Sequence, residues 1–166
     1  ASSPAAYWDL LRDGVDATRE VPPERWDPAA YHDPDPAAPG KIYTRRGGFL
    51  DAVDGFDARF FSVSAREARS VDPQHRLLLE VAWEALEDAA IAPDRLARSR
   101  TGVYVGISAS DYAHLLLSGP ITALDGYVGL GTAFNFAPGR LSYLLGLQGP
   151  SLALDSACSS SLVAVH

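Results

Sequence analysis

The sequence predicts an α/β fold, because strand patterns and helix patterns alternate along its second half. Residues 101–107 form a short β-branched run that is typical of a strand buried on at least one face. Residues 151–155 alternate in the manner of a second strand. Helix patterns precede these strands at residues 72–89 and 135–147, so the chain combines helices with a sheet.

Length and composition indicate a globular protein of about one domain. The chain has 166 residues, of which 47% are apolar and 21% charged, which is enough to bury a core. The net charge of −7 disfavours binding to nucleic acid and to anionic membrane surfaces. No apolar run reaches the roughly 18 to 20 residues of a spanning helix, and no basic residue precedes Arg12, as a secretory signal would require. We therefore expect a cytoplasmic protein with neither nucleic acid nor membrane as a partner.

The first third of the chain is predicted to be one short helix followed by irregular structure. Ser3 and Pro4 suit the N-cap and first turn of an amphipathic helix that Gly14 ends. The prolines within residues 21–40 predict a Pro-rich extended connection, because proline removes a backbone donor and is excluded from helix interiors. Residues 41–63 carry several phenylalanines and predict a loop-rich layer whose rings fill a core.

The strongest helix pattern begins at Asp72, a good N-cap, with Pro73 in the first turn, and Pro93 is expected to end it. The predicted apolar stripe consists of Leu78, Val81, Ala82, Ala85, Leu86 and Ala89. His75 and Arg76 lie in the first turn. A histidine there is usually a surface or capping residue rather than a catalyst, and we interpret His75 in that way.

Two patterns that could indicate a cofactor do not. Gly129 and Gly131 form a G-x-G pattern, but Phe134 stands where a dinucleotide fingerprint needs Gly or Ala. The single cysteine, Cys158, excludes an internal disulfide and a multi-thiolate zinc site. We therefore expect no bound cofactor and no metal.

Cys158 is the candidate functional residue. It lies between the strand pattern at 151–155 and an apolar helical run, so we expect it at a strand-to-helix turn. The unsatisfied N–H groups of a helix N-terminus favour a thiolate, and small neighbours give a substrate carbonyl access to the sulfur and to backbone amides. An acyl-transfer nucleophile needs such a setting. From these residues alone, inert packing of a small apolar cysteine is an equally good interpretation.

The sequence around Cys158 resembles the β-ketoacyl synthase family, specifically the ketosynthase domain of modular polyketide synthases. The run Asp155–Leu162 reads D-S-A-C-S-S-S-L and is similar to the family motif D-T-A-C-S-S-S-L, with Ser156 in place of the usual threonine. Further blocks that look like family blocks follow the family's order, at residues 47–50, 72–77, 139–143 and 146–151. Because the resemblance covers essentially the whole chain, residues 1–166 are identified as the N-terminal part of a ketosynthase domain.

The resemblance implies a thiolase-like fold of αβαβα layers, usually in a homodimer. It implies that Cys158 receives an acyl group from the phosphopantetheine arm of an acyl carrier protein, with the Cys158 backbone N–H as one oxyanion donor. A second carrier protein would deliver a malonyl-type unit for a decarboxylative Claisen condensation. The implied partners are therefore acyl carrier protein and neighbouring polyketide synthase domains.

The sequence departs from the family in lacking several of its features. It contains neither of the family's two histidine blocks, H-G-T-G-T and K-x-N-x-G-H, nor the Gly-rich loop that supplies a second oxyanion donor. His32, His75 and His114 match no catalytic position. His166 follows Cys158 by eight positions, about 12 Å along a helix, which exceeds the roughly 3 Å reach of a general base. We expect a piece of a larger domain, without its first strand and C-terminal half, that is inactive alone.

Two alternatives remain open at this stage. A cysteine-dependent thioesterase would need a histidine base and an orienting acid or amide from this chain, for which the histidines are unsuitable. A non-catalytic module for carrier-protein docking or dimerisation would use Cys158 only for packing. Alkylation of the thiol at low and high pH would separate the two, because an inert cysteine labels poorly throughout.

Overall fold

The computed structural model describes residues 3–166. Residues 1 and 2, the first of the predicted 1–166 range, lie outside the described residues. The chain divides into two compact units, Ala1–Ala52 and Val53–His166. No helix within residues 3–166 has both the length and the apolar character needed to cross a bilayer.

The first unit contains short elements joined by turns. Its elements are α1 (Pro4–Arg12), β1 (Arg19–Glu20), α2 (Pro28–Tyr31) and β2 (Arg46–Gly47). The Ser3 hydroxyl accepts a hydrogen bond from the Ala6 N–H at 3.1 Å, which confirms the predicted cap of α1. The two short strands pair in antiparallel fashion.

The prediction that residues 21–40 are extended is wrong for α2. Pro28 occupies the first turn of that helix, where its missing N–H removes no intrahelical bond. The Asp27 carboxylate caps the helix by accepting from the Ala29 N–H at 2.9 Å. Proline therefore excludes helix only from the positions that follow the first turn.

The second unit contains most of the regular structure. Its elements are α3 (Ala65–Ala68), α4 (Pro73–Asp88), β3 (Val103–Gly106), α5 (Asp111–Leu117), α6 (Gly126–Thr132), α7 (Phe136–Leu144), β4 (Ser151–Leu154) and α8 (Ser160–Val165). Strands β3 and β4 pair in parallel, with Val103 opposite Ser151 and Gly106 opposite Leu154. Both predicted strands are confirmed.

Helices cover both faces of the β3–β4 pair. Val103 of β3 packs in a buried cluster with Leu141 and Leu145, which extend from α7 and its end, and with Leu79 of α4. Successive strand residues point to opposite faces, and Gly106 contacts the start of α8. The order of layers is therefore α4 on α7, then the strands, then α8.

The predicted orientation and end of α4 are both corrected. His75 and Arg76 are buried, whereas Val81 is 58% exposed. The stripe that faces the core follows Leu79, Ala82, Trp83 and Leu86, because α4 packs along α7 and is not centred over the sheet. The helix ends at Asp88, and Ala90 adopts φ +54°, so a left-handed residue ends it before Pro93.

Candidate active site

Cys158 lies where β4 turns into α8, as the sequence predicts. The Asp155 carboxylate accepts a hydrogen bond from the Ala157 N–H at 2.9 Å and starts the turn. Ala157 has φ +53°, in the left-handed region. Residues Ala157–Ser159 then form one 3-10 turn that leads into α8. Cys158 is exposed on this turn.

Serine hydroxyls hold the shape of the turn. The buried Ser160 hydroxyl accepts from the Ser156 N–H at 2.9 Å and donates to the Ala157 carbonyl at 2.7 Å. The Ser159 hydroxyl donates to the Ser156 carbonyl, also at 2.9 Å. These bonds satisfy backbone groups on both sides of Cys158 without using its thiol, so the backbone that carries the sulfur is fixed from below.

Gly106 allows the start of α8 to approach β3 closely. A Cβ atom at Gly106 would lie 2.7 Å from both the Ser160 carbonyl carbon and the Ser161 nitrogen. Because both contacts are with backbone atoms, no side-chain rotation would relieve them. The height of the Cys158 turn above the sheet therefore depends on a residue in a different strand.

The backbone amides of the turn differ in their hydrogen bonds. The Ala157 N–H is bonded to Asp155 and the Ser159 N–H to the Ser156 carbonyl at 3.3 Å. Within residues 3–166 the Cys158 N–H has no acceptor. An exposed thiol and a free N–H on the same residue can act together, one as a nucleophile and the other as a donor to a developing oxyanion.

The histidines occupy different parts of the fold. His166 follows α8 directly, His114 is exposed on α5, and His32 belongs to the first unit. His75 is 1% exposed, so its interpretation as a surface or capping residue is wrong. Burial lowers the pKa of His75, the Asp72 carboxylate opposes this shift, and Arg140 adds to it.

Sequence reasoning identifies Cys158 but misses the residues that position it. Ser160 belongs to the recognised motif, but the motif does not show that its hydroxyl is a buried hydrogen-bonding group. Gly106 is predicted only as part of a strand. A glycine at the end of a β-branched strand is the signal that could have predicted the close approach, because glycine in a strand often marks contact with another backbone.

The chain is similar to known proteins along its whole length. The model of the β-ketoacyl synthase N-terminal domain matches residues 1–166. A phenolphthiocerol/phthiocerol polyketide synthase of Mycobacterium tuberculosis is 53% identical over 165 residues, covering 99% of this chain and 9% of that protein. A PKS-NRPS hybrid synthetase of Aspergillus candidus is 50% identical over 171 residues, covering 99% of this chain and 7% of that protein.

Two solved ketosynthases are similar in structure. The oxazolomycin ketosynthase domain of Streptomyces albus has a TM-score of 0.86 and 43% identity, covering 100% of this chain and 29% of that one. The ketosynthase from module 6 of the bacillaene synthase of Bacillus subtilis has a TM-score of 0.85 and 36% identity, covering 98% and 26%. The predicted thiolase-like α/β fold is confirmed. The chain spans less than a third of each of these relatives.

Proposed function

Because this chain belongs to the β-ketoacyl synthase family, we propose that Cys158 is the residue that accepts an acyl group in a polyketide ketosynthase. The observation that carries this proposal is the exposure of Cys158 on a turn whose backbone is held by neighbouring serines. A cysteine used only for packing is usually buried. The exposed thiol therefore favours a reactive role.

The proposed first step is the transfer of an acyl group between two sulfur atoms. The Cys158 thiolate attacks the thioester carbonyl of an acyl group carried on phosphopantetheine. The carbonyl oxygen becomes an oxyanion, which the Cys158 N–H stabilises. When the carbonyl forms again, the phosphopantetheine thiolate leaves and takes up a proton, so the acyl group remains on Cys158 as a new thioester.

The proposed second step extends the acyl chain. A malonyl-type unit on an acyl carrier protein loses CO₂ to form an enolate, which attacks the Cys158 thioester and releases the cysteine thiolate. Acyl carrier protein and neighbouring polyketide synthase domains are the proposed partners, and a homodimer is the proposed assembly. These proposals rest on family membership and on the names of the relatives, which are polyketide synthases.

Residues 1–166 expressed alone are proposed to be inactive in condensation. The proposed site contributes one thiol and one backbone donor, and the sequence contains neither histidine block of the family. Loss of a single oxyanion donor already slows related acyl transfers by about 10²- to 10³-fold.

Acyl loading of the full-length protein tests the role of Cys158. We expect Cys158→Ala to abolish the acyl mass gained from an acyl-carrier-protein thioester, because alanine has no nucleophile. Ser161→Ala is the matched control, since Ser161 is an exposed neighbour in the same run. It should retain loading. Intact-protein mass spectrometry measures both variants, and an acyl mass that persists in Cys158→Ala would assign the attachment to another residue.

A further inference from the structure

The second unit carries an exposed aromatic groove that the proposed chemistry does not use. We define the aromatic groove by Phe60, Trp83, Pro93, Tyr143 and Leu144, which line two adjoining depressions that share Phe60 and Trp83. The larger depression has a volume of about 390 Å³. Tyr143 is 90% exposed and Phe60 50% exposed, so two large rings face solvent beside one another.

The rings of the aromatic groove are held in place from below. Phe60 meets Trp83 edge to face, with 4.8 Å between ring centroids, and meets Phe61 in the same way at 4.9 Å. The Trp83 indole N–H donates to the Glu87 carboxylate at 3.0 Å. Because the orientation of these rings is already fixed, a ligand would meet a prepared surface and would lose little entropy in ordering it.

The charges that line the aromatic groove are all negative. Its acidic side chains are Glu80, Glu84, Glu87 and Asp94. No Arg, Lys or His lines either depression, and none of the four carboxylates forms an ion pair within the described part of the chain. The groove therefore complements a positively charged ligand with apolar or ring-shaped side chains.

We propose that the aromatic groove docks a partner protein through an extended, proline-rich segment that carries arginine. Proline-rich segments dock into aromatic-lined grooves because their extended conformation is already formed before binding. The arginine guanidinium can stack on Trp83 or Tyr143 while it faces the carboxylates. Exposed aromatic rings also supply the residues that most often dominate the energy of protein interfaces.

Fluorescence anisotropy with the full-length protein tests this docking site. The probe is a fluorescein-labelled peptide of repeated Pro-Pro-Arg units, and the matched probe contains Pro-Pro-Glu. We expect saturable binding of the arginine peptide only. Tyr143→Ala should weaken it by about fivefold or more. Glu84→Gln should weaken it less and should reduce its dependence on salt.

Tyr43→Ala is the control variant, because Tyr43 is 67% exposed and belongs to the first unit. It should leave binding unchanged. Three results would overturn the proposal: no saturable binding, equal binding of the glutamate peptide, or binding that Tyr143→Ala does not alter. If Tyr143→Ala instead changes the oligomeric state in light scattering, the occupant is a second copy and the proposed partner is wrong.

Discussion

At the scale of single residues, Gly106 sets the position of Cys158 without contacting it. An added methyl group at Gly106 would force the backbone of Ser160 and Ser161 away from β3. We expect Gly106→Ala to lower the free energy of unfolding by about 1 to 3 kcal/mol, as overpacking does in other cores. We also expect it to reduce acyl loading of Cys158 in the mass-spectrometric assay.

The control for Gly106→Ala is Gly139→Ala. Gly139 lies inside α7, and a Cβ atom there would meet nothing within 4 Å. Alanine in a helix interior is more stable than glycine by about 0.5 to 1 kcal/mol. Gly139→Ala should therefore retain loading and gain stability. Equal loading in both variants would show that the approach of α8 to β3 does not position the thiol.

His75 gives a second prediction at this scale, concerning pH. Burial lowers its folded-state pKa below the ordinary value of 6.5, against Asp72 and with Arg140. Below that value the unfolded chain therefore binds more protons than the folded chain, and stability falls as the pH falls through 6.5. His75→Gln should lose less stability than the unsubstituted protein between about pH 7.5 and 5.5 in urea unfolding.

His114→Gln serves as the comparison, because His114 is exposed on α5. Its loss of stability over the same pH range should match that of the unsubstituted protein. The account of His75 is wrong if His75→Gln retains the full pH dependence.

At the scale of elements, Arg140 joins three helices. Its guanidinium contacts the Glu67 carboxylate of α3 at 2.6 Å and donates to the Leu130 carbonyl of α6 at 3.0 Å. The side chains of Arg140 and Glu67 are only 14% and 21% exposed. Removing one partner of a largely buried pair leaves a charge without compensation, so Glu67→Gln should cost about 2 kcal/mol of stability.

A surface pair provides the control for Glu67→Gln. Arg19 contacts Asp51 at 2.8 Å, but the Asp51 side chain is 93% exposed. Asp51→Asn should therefore leave the urea midpoint almost unchanged, because solvent and salt screen such pairs. If the two variants lose the same stability, burial does not distinguish the two ion pairs.

The elements also show how far sequence reasoning reaches. Helices α1, α4 and α7 and strands β3 and β4 are predictable because caps, breakers and side-chain periodicity are local features. The face that α4 buries is not, because it depends on where α7 lies, and the burial of His75 follows from the same packing. The turn at Cys158 is predictable from a change of pattern. The contact that positions it, at Gly106, joins residues distant in sequence.

At the scale of the whole molecule, one side of the second unit exposes apolar residues around α8. Leu162 is 76% exposed and Val165 87% exposed, and Tyr104 and Leu152 are paired neighbours in the strands, each nearly half exposed. Soluble monomers rarely tolerate large contiguous surfaces of this kind. Residues 1–166 expressed alone should therefore self-associate in light scattering and should release no CO₂ from a malonyl carrier protein above background.

Charged substitutions separate the two parts of that prediction. Leu162→Asp with Val165→Asp should reduce the self-association of residues 1–166, because a charge on an exposed apolar surface opposes its burial. It should not create CO₂ release. A monodisperse monomer of the unsubstituted residues 1–166 would contradict the structural part, and CO₂ release above a Cys158→Ala background would contradict the chemical part.

The central claim, that Cys158 carries the acyl group, is tested most directly by locating the acyl mass. The full-length protein is incubated with an acyl-carrier-protein thioester, digested, and fragmented in a tandem mass spectrometer. We predict that the acyl mass lies on Cys158 and that hydroxylamine removes it, as expected for a thioester. An acyl mass located on Ser159, Ser161 or any residue outside this turn would contradict the account.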